Sequence, residues 1–199
     1  MLNPYRVVED FEAALCEYTG ARYAVTTNSC TMALLLAMAW HCEPHQPVQI
    51  PALTYLSVPM SIWHAGAVPV FRQEDWIGAY QLKPLPVWDS ARRFTSGMYV
   101  PGQMQCVSFH ASKILGHSQG GAILHDDQEA DAWLRRARFD GRAQGVAPKD
   151  DAIPMIGWHC YMSADVAAAL LLKLHHLPRH NADLPNDDYP PLDEMEIFR

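Results

Sequence analysis

Apolar residues recur at Val7, Val8, Phe11, Ala14, Leu15 and Tyr18, the three-and-four spacing of an amphipathic helix, and Gly20 closes it. Tyr23-Ala24-Val25-Thr26-Thr27 then reads as a buried strand. Asn28-Ser29 offers an N-cap for a helix from Cys30 to about Trp40. Val48-Gln49-Ile50 predicts a short strand closed by Pro51, and residues 55–64 a helix that stops at Gly66, with Pro59 as its weak point. Strands are expected at 68–71 and at 85–88, the latter ending in Asp89. Residues 105–109 and 122–125 read as a strand pair around a glycine turn. Residues 127–138 form an amphipathic pattern, and Ser163 caps a strongly apolar helix through about Leu177.

Strands alternating with helices predict an α/β fold class, with a mainly parallel sheet and flanking helices. Past Pro178 the composition turns to Pro, Asp, Asn and His, so residues 1–177 are expected as the α/β domain and 178–199 as an irregular acidic tail.

Composition narrows the chemistry. With 199 residues, the chain is long enough for one well-packed domain and short for two. Hydrophobic residues at 49% against 19% charged fit a globular interior. A formal charge of −7 without a clustered basic face argues against nucleic acid as the main ligand. The five cysteines lack CxxC spacing and read as reduced thiols. Ten histidines include no HExxH pair, and the adjacent His175 and His176 diverge on a helix, so no metal site is expected. Neither a leader pattern nor a membrane-length apolar run is visible, which predicts a cytoplasmic protein with no membrane partner.

Four segments carry candidate chemistry. Cys30-Thr31-Met32 opens a helix, where unpaired N–H groups and the dipole can hold a phosphate; by itself it reads first as ordinary capping. Tyr55 follows a strand and could stack on a flat ring, or simply pack as a core or surface aromatic. Asp89 ends an apolar strand, where α/β folds place ligands, and reads equally as a turn or cap residue. Lys113 closes Val107-Ser108-Phe109-His110-Ala111-Ser112-Lys113 ahead of Gly120-Gly121. A lysine there reads by itself as an ordinary exposed loop residue, or else suits a Schiff base with a carbonyl such as that of pyridoxal phosphate, with Ser108 taking the phosphate.

The order of these pieces resembles the DegT/DnrJ/EryC1/StrS family of pyridoxal-phosphate-dependent sugar aminotransferases. The likeness runs through Tyr18–Val25, Asn28–Thr31, Pro51–Tyr55, Ala65–Phe71, Asp89-Ser90-Ala91, Ser108–Lys113, Gly120–Ala122 and Gly157–Leu170. It implies the large domain of the aspartate-aminotransferase-like fold, trimmed. Lys113 becomes the Schiff-base lysine and Asp89 the partner of the pyridine nitrogen. Tyr55 becomes the stacking aromatic, with Cys30, Thr31, Met32 and Ser108 as phosphate contacts. Arg92 falls where the family has glutamine or histidine near the phenolic oxygen. His159 stands where an asparagine reaches the neighbouring subunit's cofactor phosphate, and Tyr161 where an arginine is usual.

The chain departs from the family pattern elsewhere. Cys30 stands where the family has a small residue, usually glycine; the span from Phe71 to Asp89 is short; and, set against the family pattern, the chain is expected to lack the small C-terminal domain. The resemblance implies a homodimeric aminotransferase that moves an amino group from glutamate to a keto group of a nucleotide-linked sugar. The alternatives are another pyridoxal phosphate reaction, such as dehydration or racemisation, and a non-catalytic module that pairs with a full-length relative.

Overall fold

The computed structural model describes residue 3, residues 5–186 and residues 189–198. Helix α1 (Arg6–Thr19) buries Val8, Phe11 and Leu15 and ends at Gly20, whose φ of 84° lets its N–H reach Cys16 O. Strand β1 (Tyr23–Thr27) leads into α2 (Cys30–His41), where Ser29 Oγ accepts the Met32 N–H at 3.3 Å. Strand β2 (Pro47–Pro51), helix α3 (Ser57–His64) and strand β3 (Val68–Arg72) follow. Pro59 does no harm, because it occupies the first turn of α3, where an N–H has no intrahelical acceptor. Strands β4 (Tyr80–Leu82), β5 (Val87–Asp89), β6 (Met104–Ser108) and β7 (Gly121–His125) precede α4 (Gln128–Ala137) and α5 (Ala164–His176).

The larger sheet runs β1-β7-β6-β5-β4, and β2 with β3 forms a parallel pair. Residue Gln49 of β2 exchanges both backbone hydrogen bonds with Lys83, at 2.8 and 3.0 Å, so the pair continues the edge of the larger sheet. Arg72 reinforces that seam by donating to Gln49 O and Gln81 O.

The α/β class with flanking helices holds, but the expected mainly parallel sheet is corrected to a mixed one. Among the described strands of the larger sheet, β5–β6 pairs in parallel, while β1–β7, β6–β7 and β4–β5 are antiparallel. For β4 and β5, connection length explains the direction: a parallel return needs a crossover of roughly a dozen residues or more, usually a helix, and only residues 83–86 separate these two strands. Strand β4 is the piece that sequence periodicity missed; its buried–half-buried–buried alternation covers three residues.

Alternate residues along the strands enter two cores. Val25, Ile123, Cys106 and Val87 pack under α2, α3 and α4. Ala24, Leu124, Ala122 and Val107 pack against α1 and α5, with Phe11, Leu15, Val166 and Leu170. Full burial of each such large aliphatic or aromatic side chain contributes about 1.5–3 kcal/mol. Within this apolar setting α1 carries a buried carboxylate. Glu12 accepts from Thr26 N at 2.9 Å, from Thr26 Oγ1 at 2.8 Å and from Arg135 at 2.6 Å, and also from Arg138.

Beyond α5 the chain crosses back over the domain as a strap. Tyr18 donates to Pro178 O at 2.6 Å, Arg93 pairs with Asp183 at 2.6 Å, and Leu192 N–H donates to Ala52 O at 3.0 Å. Two 3₁₀ turns, Leu192–Glu194 and Glu196–Phe198, bury Leu192 and Phe198. No helix among the described residues is long and apolar enough to cross a membrane.

Candidate active site

The carboxyl ends of β5 and β6 and the start of α2 open on one cavity of about 390 Å³. That volume lies within the range of small-molecule sites, and strand carboxyl ends are where α/β sheets present ligand crevices. Asp89 comes from the last position of β5 and Ser108 from the last position of β6. The loop that follows carries Lys113, the β2–α3 connection carries Tyr55, and the start of α2 brings Cys30 and Thr31.

Glycine makes the α2 start accessible to β7. A Cβ on Gly121 would meet Cys30 N at 2.5 Å and Ser29 C at 2.6 Å, so only glycine lets the two backbones pass this closely. Gly120, at φ 125°, bridges to Ser29 in the same place. The first amides of α2 head a helix with no intrahelical acceptor available to them, and Thr31 Oγ1 lies 2.8 Å from Ser57 Oγ. Hydroxyls beside a helix N-terminus make this floor suited to an anion.

Asp89 is buried in the wall of the same cavity. Its Oδ1 accepts the Ala91 N–H at 2.9 Å, and its Oδ2 accepts the Tyr80 hydroxyl at 2.9 Å. Burial raises its carboxyl above the usual range, and the donors from Ala91 and Tyr80 together with the charges of Lys113 and Arg92 offset this only in part. Tyr80 is itself held well above its ordinary value, first by burial and then by the adjacent carboxylate. Burial likewise pushes the Cys30 thiol up, with Asp89 adding to the effect, so Cys30 stays a neutral wall.

Lys113 and Arg92 meet at Tyr189 of the strap. Lys113 Nζ donates to the Tyr189 hydroxyl oxygen at 3.4 Å, and Arg92 Nε donates to the same oxygen at 3.0 Å. The Arg92 guanidinium sits 4.4 Å from the centre of the Tyr189 ring.

Of the site residues read from the sequence, Cys30, Thr31, Tyr55, Asp89, Arg92, Ser108 and Lys113 line this cavity together. Met32 packs against the core beneath α2 instead. His159 lies elsewhere and is largely exposed, with Nδ1 at 2.9 Å from Asp140 Oδ2. Sequence reading missed Tyr80 and Tyr189. Tyr80 sits in a strand too short to show periodicity, and Tyr189 in a stretch without regular structure. Among the described residues no three His, Cys, Asp or Glu side chains gather as a metal set.

The donor set fits a flat ring bearing a basic nitrogen, a phosphate and a carbonyl. A buried carboxylate answers the nitrogen, the hydroxyl-rich helix start answers the phosphate, and a lysine amine in the same cavity answers the carbonyl.

Comparisons with known proteins identify the family. Residues 1–87 and 96–184 match the profile of the DegT/DnrJ/EryC1/StrS aminotransferase family. Asp89 and Arg92 fall in the interval between the two matched segments, so their placement rests on geometry. GDP-perosamine synthase of Caulobacter vibrioides is 26% identical over 89% of this chain and 58% of its own length. The UDP-4-amino-4,6-dideoxy-N-acetyl-beta-L-altrosamine transaminase of Campylobacter jejuni is 24% identical over 94% of this chain and 62% of its own. The chain therefore spans about three-fifths of the length of these relatives. The crystal structure of S. venezuelae DesV in complex with a ketimine intermediate superposes with a TM-score of 0.69, at 24% identity over 86% of this chain and 57% of that one.

Proposed function

The chain belongs to the DegT/DnrJ/EryC1/StrS aminotransferase family, and from that premise we propose that its cavity holds pyridoxal phosphate on Lys113 for transamination of a keto sugar. The observation that carries this reading is the convergence of Asp89, Lys113 and the hydroxyl-lined start of α2 on one cavity. Glutamate is the proposed amino donor and a nucleotide-linked sugar the acceptor, in keeping with the GDP- and UDP-sugar names of the relatives. Residues 1–177 form the cofactor domain in this reading and 178–199 its tail, and the protein works in the cytoplasm.

The bound group supplies an electron sink for the carbon that loses its proton. Asp89 keeps a proton on the ring nitrogen, and the resulting positive charge relieves the buried carboxylate in turn. Lys113 Nζ would hold the group through its carbonyl and would serve as the general base that moves the substrate proton. Tyr55 would stack on the ring, Arg92 would face its phenolic oxygen, and Cys30, Thr31 and Ser108 would hold the phosphate end; Met32, packed on the core, takes no part.

A homodimer completes the proposal, with His159 reaching the partner's phosphate. Its support is the exposure of His159, oriented by Asp140, near Ile156, which is 92% exposed, and the 63% exposure of Leu172 on α5. Mixing Lys113→Ala chains with His159→Ala chains should then restore activity in the hybrid. Activity in a dilute monomer rules the dimer out.

Visible absorbance of the loaded protein decides the main reading. Loss of that absorbance on adding glutamate, with aminated sugar detected by mass spectrometry, supports transamination. Absorbance that persists with every amino donor points to another pyridoxal phosphate reaction or to a non-catalytic module.

A further inference from the structure

The strap enters the cavity at Tyr189. On either side of that residue the strap is tied to the domain: Leu184 N–H donates to Arg92 O at 2.9 Å, and Leu192 N–H to Ala52 O at 3.0 Å. The ring of Tyr189 is flanked by Arg92 on one face and by Trp76, stacked at 6.1 Å and 20°, with Tyr55 at 6.2 Å. Two cationic donors, Lys113 Nζ and Arg92 Nε, converge on its one oxygen. Among the described residues, the other titratable or charged groups around this end of the cavity are Asp89, Cys30, His110 and Tyr55.

We propose that Tyr189 is a positioning residue of this site, whose hydroxyl oxygen orients the Lys113 amine and favours its protonated form. The inference rests on Lys113 being the reacting amine of the proposed function. A phenol oxygen accepts more strongly from an ammonium than from a neutral amine, so the contact stabilises the charged form. Arg92 holds the same oxygen and the same ring, which fixes where the acceptor stands. The strap thus supplies a wall of the cavity and sets the protonation of its nucleophile.

The test is competitive acetylation of the full chain, freed of cofactor with hydroxylamine, across a pH series. Mass spectrometry reads the rate at Lys113, with Lys149 as internal reference. Tyr189→Phe keeps the ring against Arg92 and Trp76 and removes only the oxygen. The pH midpoint for Lys113 should fall, and its labelling at neutral pH should rise about fivefold, the equivalent of one hydrogen bond of modest strength. Lys149 should not change. Coincident Lys113 curves for the two proteins overturn the proposal, as does a shift shared by Lys149.

A second readout covers a folding defect in the variant. In chains loaded with pyridoxal phosphate, the pH midpoint of the visible absorbance should also fall in Tyr189→Phe, and an unchanged midpoint overturns the proposal. A chain that takes up no pyridoxal phosphate defeats the functional reading, while the acetylation curves still decide the role of Tyr189.

Discussion

Tyr80 stands opposite Asp89 in the antiparallel β4–β5 pair and donates its hydroxyl hydrogen to Asp89 Oδ2 at 2.9 Å. The hydroxyl of Thr54 lies against that of Tyr80, so a chain of polar groups leads from the β2–α3 connection to the buried carboxylate. The β4–β5 hairpin therefore also orients the buried carboxylate found among the described residues of the cavity.

Replacing Tyr80 by Phe should leave the strand pairing intact and loosen Asp89. A hydrogen bond to a charged group contributes roughly 1.5–3 kcal/mol, so retention of pyridoxal phosphate should weaken by at least about tenfold. Equilibrium dialysis of the cofactor checks this, and unaltered retention would remove Tyr80 from the site.

Asp89→Asn separates function from stability. Burial raises the Asp89 carboxyl above its ordinary 3.8, so without cofactor the charged form costs stability at pH values above the raised pKa, and that cost disappears below the unfolded value. The cofactor-free Asn variant should accordingly be at least as stable as the parent at neutral pH. Its turnover should drop by on the order of 10²–10³, because an amide cannot hold the pyridinium proton. Urea unfolding and rate assays read the two effects; near-normal turnover would make Asp89 a turn residue.

Borohydride reduction of the loaded protein should place the pyridoxyl label on Lys113 in a peptide map. A label on Lys83, Lys149 or Lys173 sinks the assignment. Lys113→Ala should lower turnover by at least about a thousandfold, since it removes both the covalent anchor and the general base.

Gly121→Ala probes the crossing of β7 with α2. The added Cβ would stand 2.5 Å from Cys30 N, so either the helix start or the strand must shift. Overpacking of this kind costs on the order of 1–3 kcal/mol and should also weaken phosphate binding at the α2 start. Thermal unfolding and cofactor affinity should fall together; a loss of stability with full affinity would place the phosphate elsewhere.

Glu12 gives the fold a pH dependence of the opposite sign to that of Asp89. Burial pushes its carboxyl up, but Arg138 and Arg135 outweigh burial and hold it below the ordinary 4.5. Its contribution is therefore present at neutral pH and is lost as the pH falls below 4.5 through the folded value. Glu12→Gln should cost about 3–5 kcal/mol at neutral pH, because Arg138 is left buried beside an amide. That loss should shrink in acid. Equal losses at neutral and acid pH would mean that packing, not charge, is at stake.

Local spacing made much of this molecule legible. The period of α1, the Ser29 cap, the amphipathic stretch of α4 and the strand pair around Gly120-Gly121 all follow from residues close in sequence, because a helix face or a strand face is a local property. Lys113, Asp89 and Ser108 were legible for the same reason: each sits at or just beyond the end of an apolar run, where a strand delivers its next side chain to a crevice. Strand direction was not legible. Whether β4 runs with or against β5 depends on the length of chain available to return, and three residues of β4 carry no period to reveal it. Tyr80 and Tyr189 were hidden for a related reason. The first gains its role only when a hairpin sets it opposite Asp89, and the second only when a strap from beyond α5 crosses the domain to meet Lys113. Such contacts join residues distant in the chain, and only the packing of the whole domain brings them within hydrogen-bond reach.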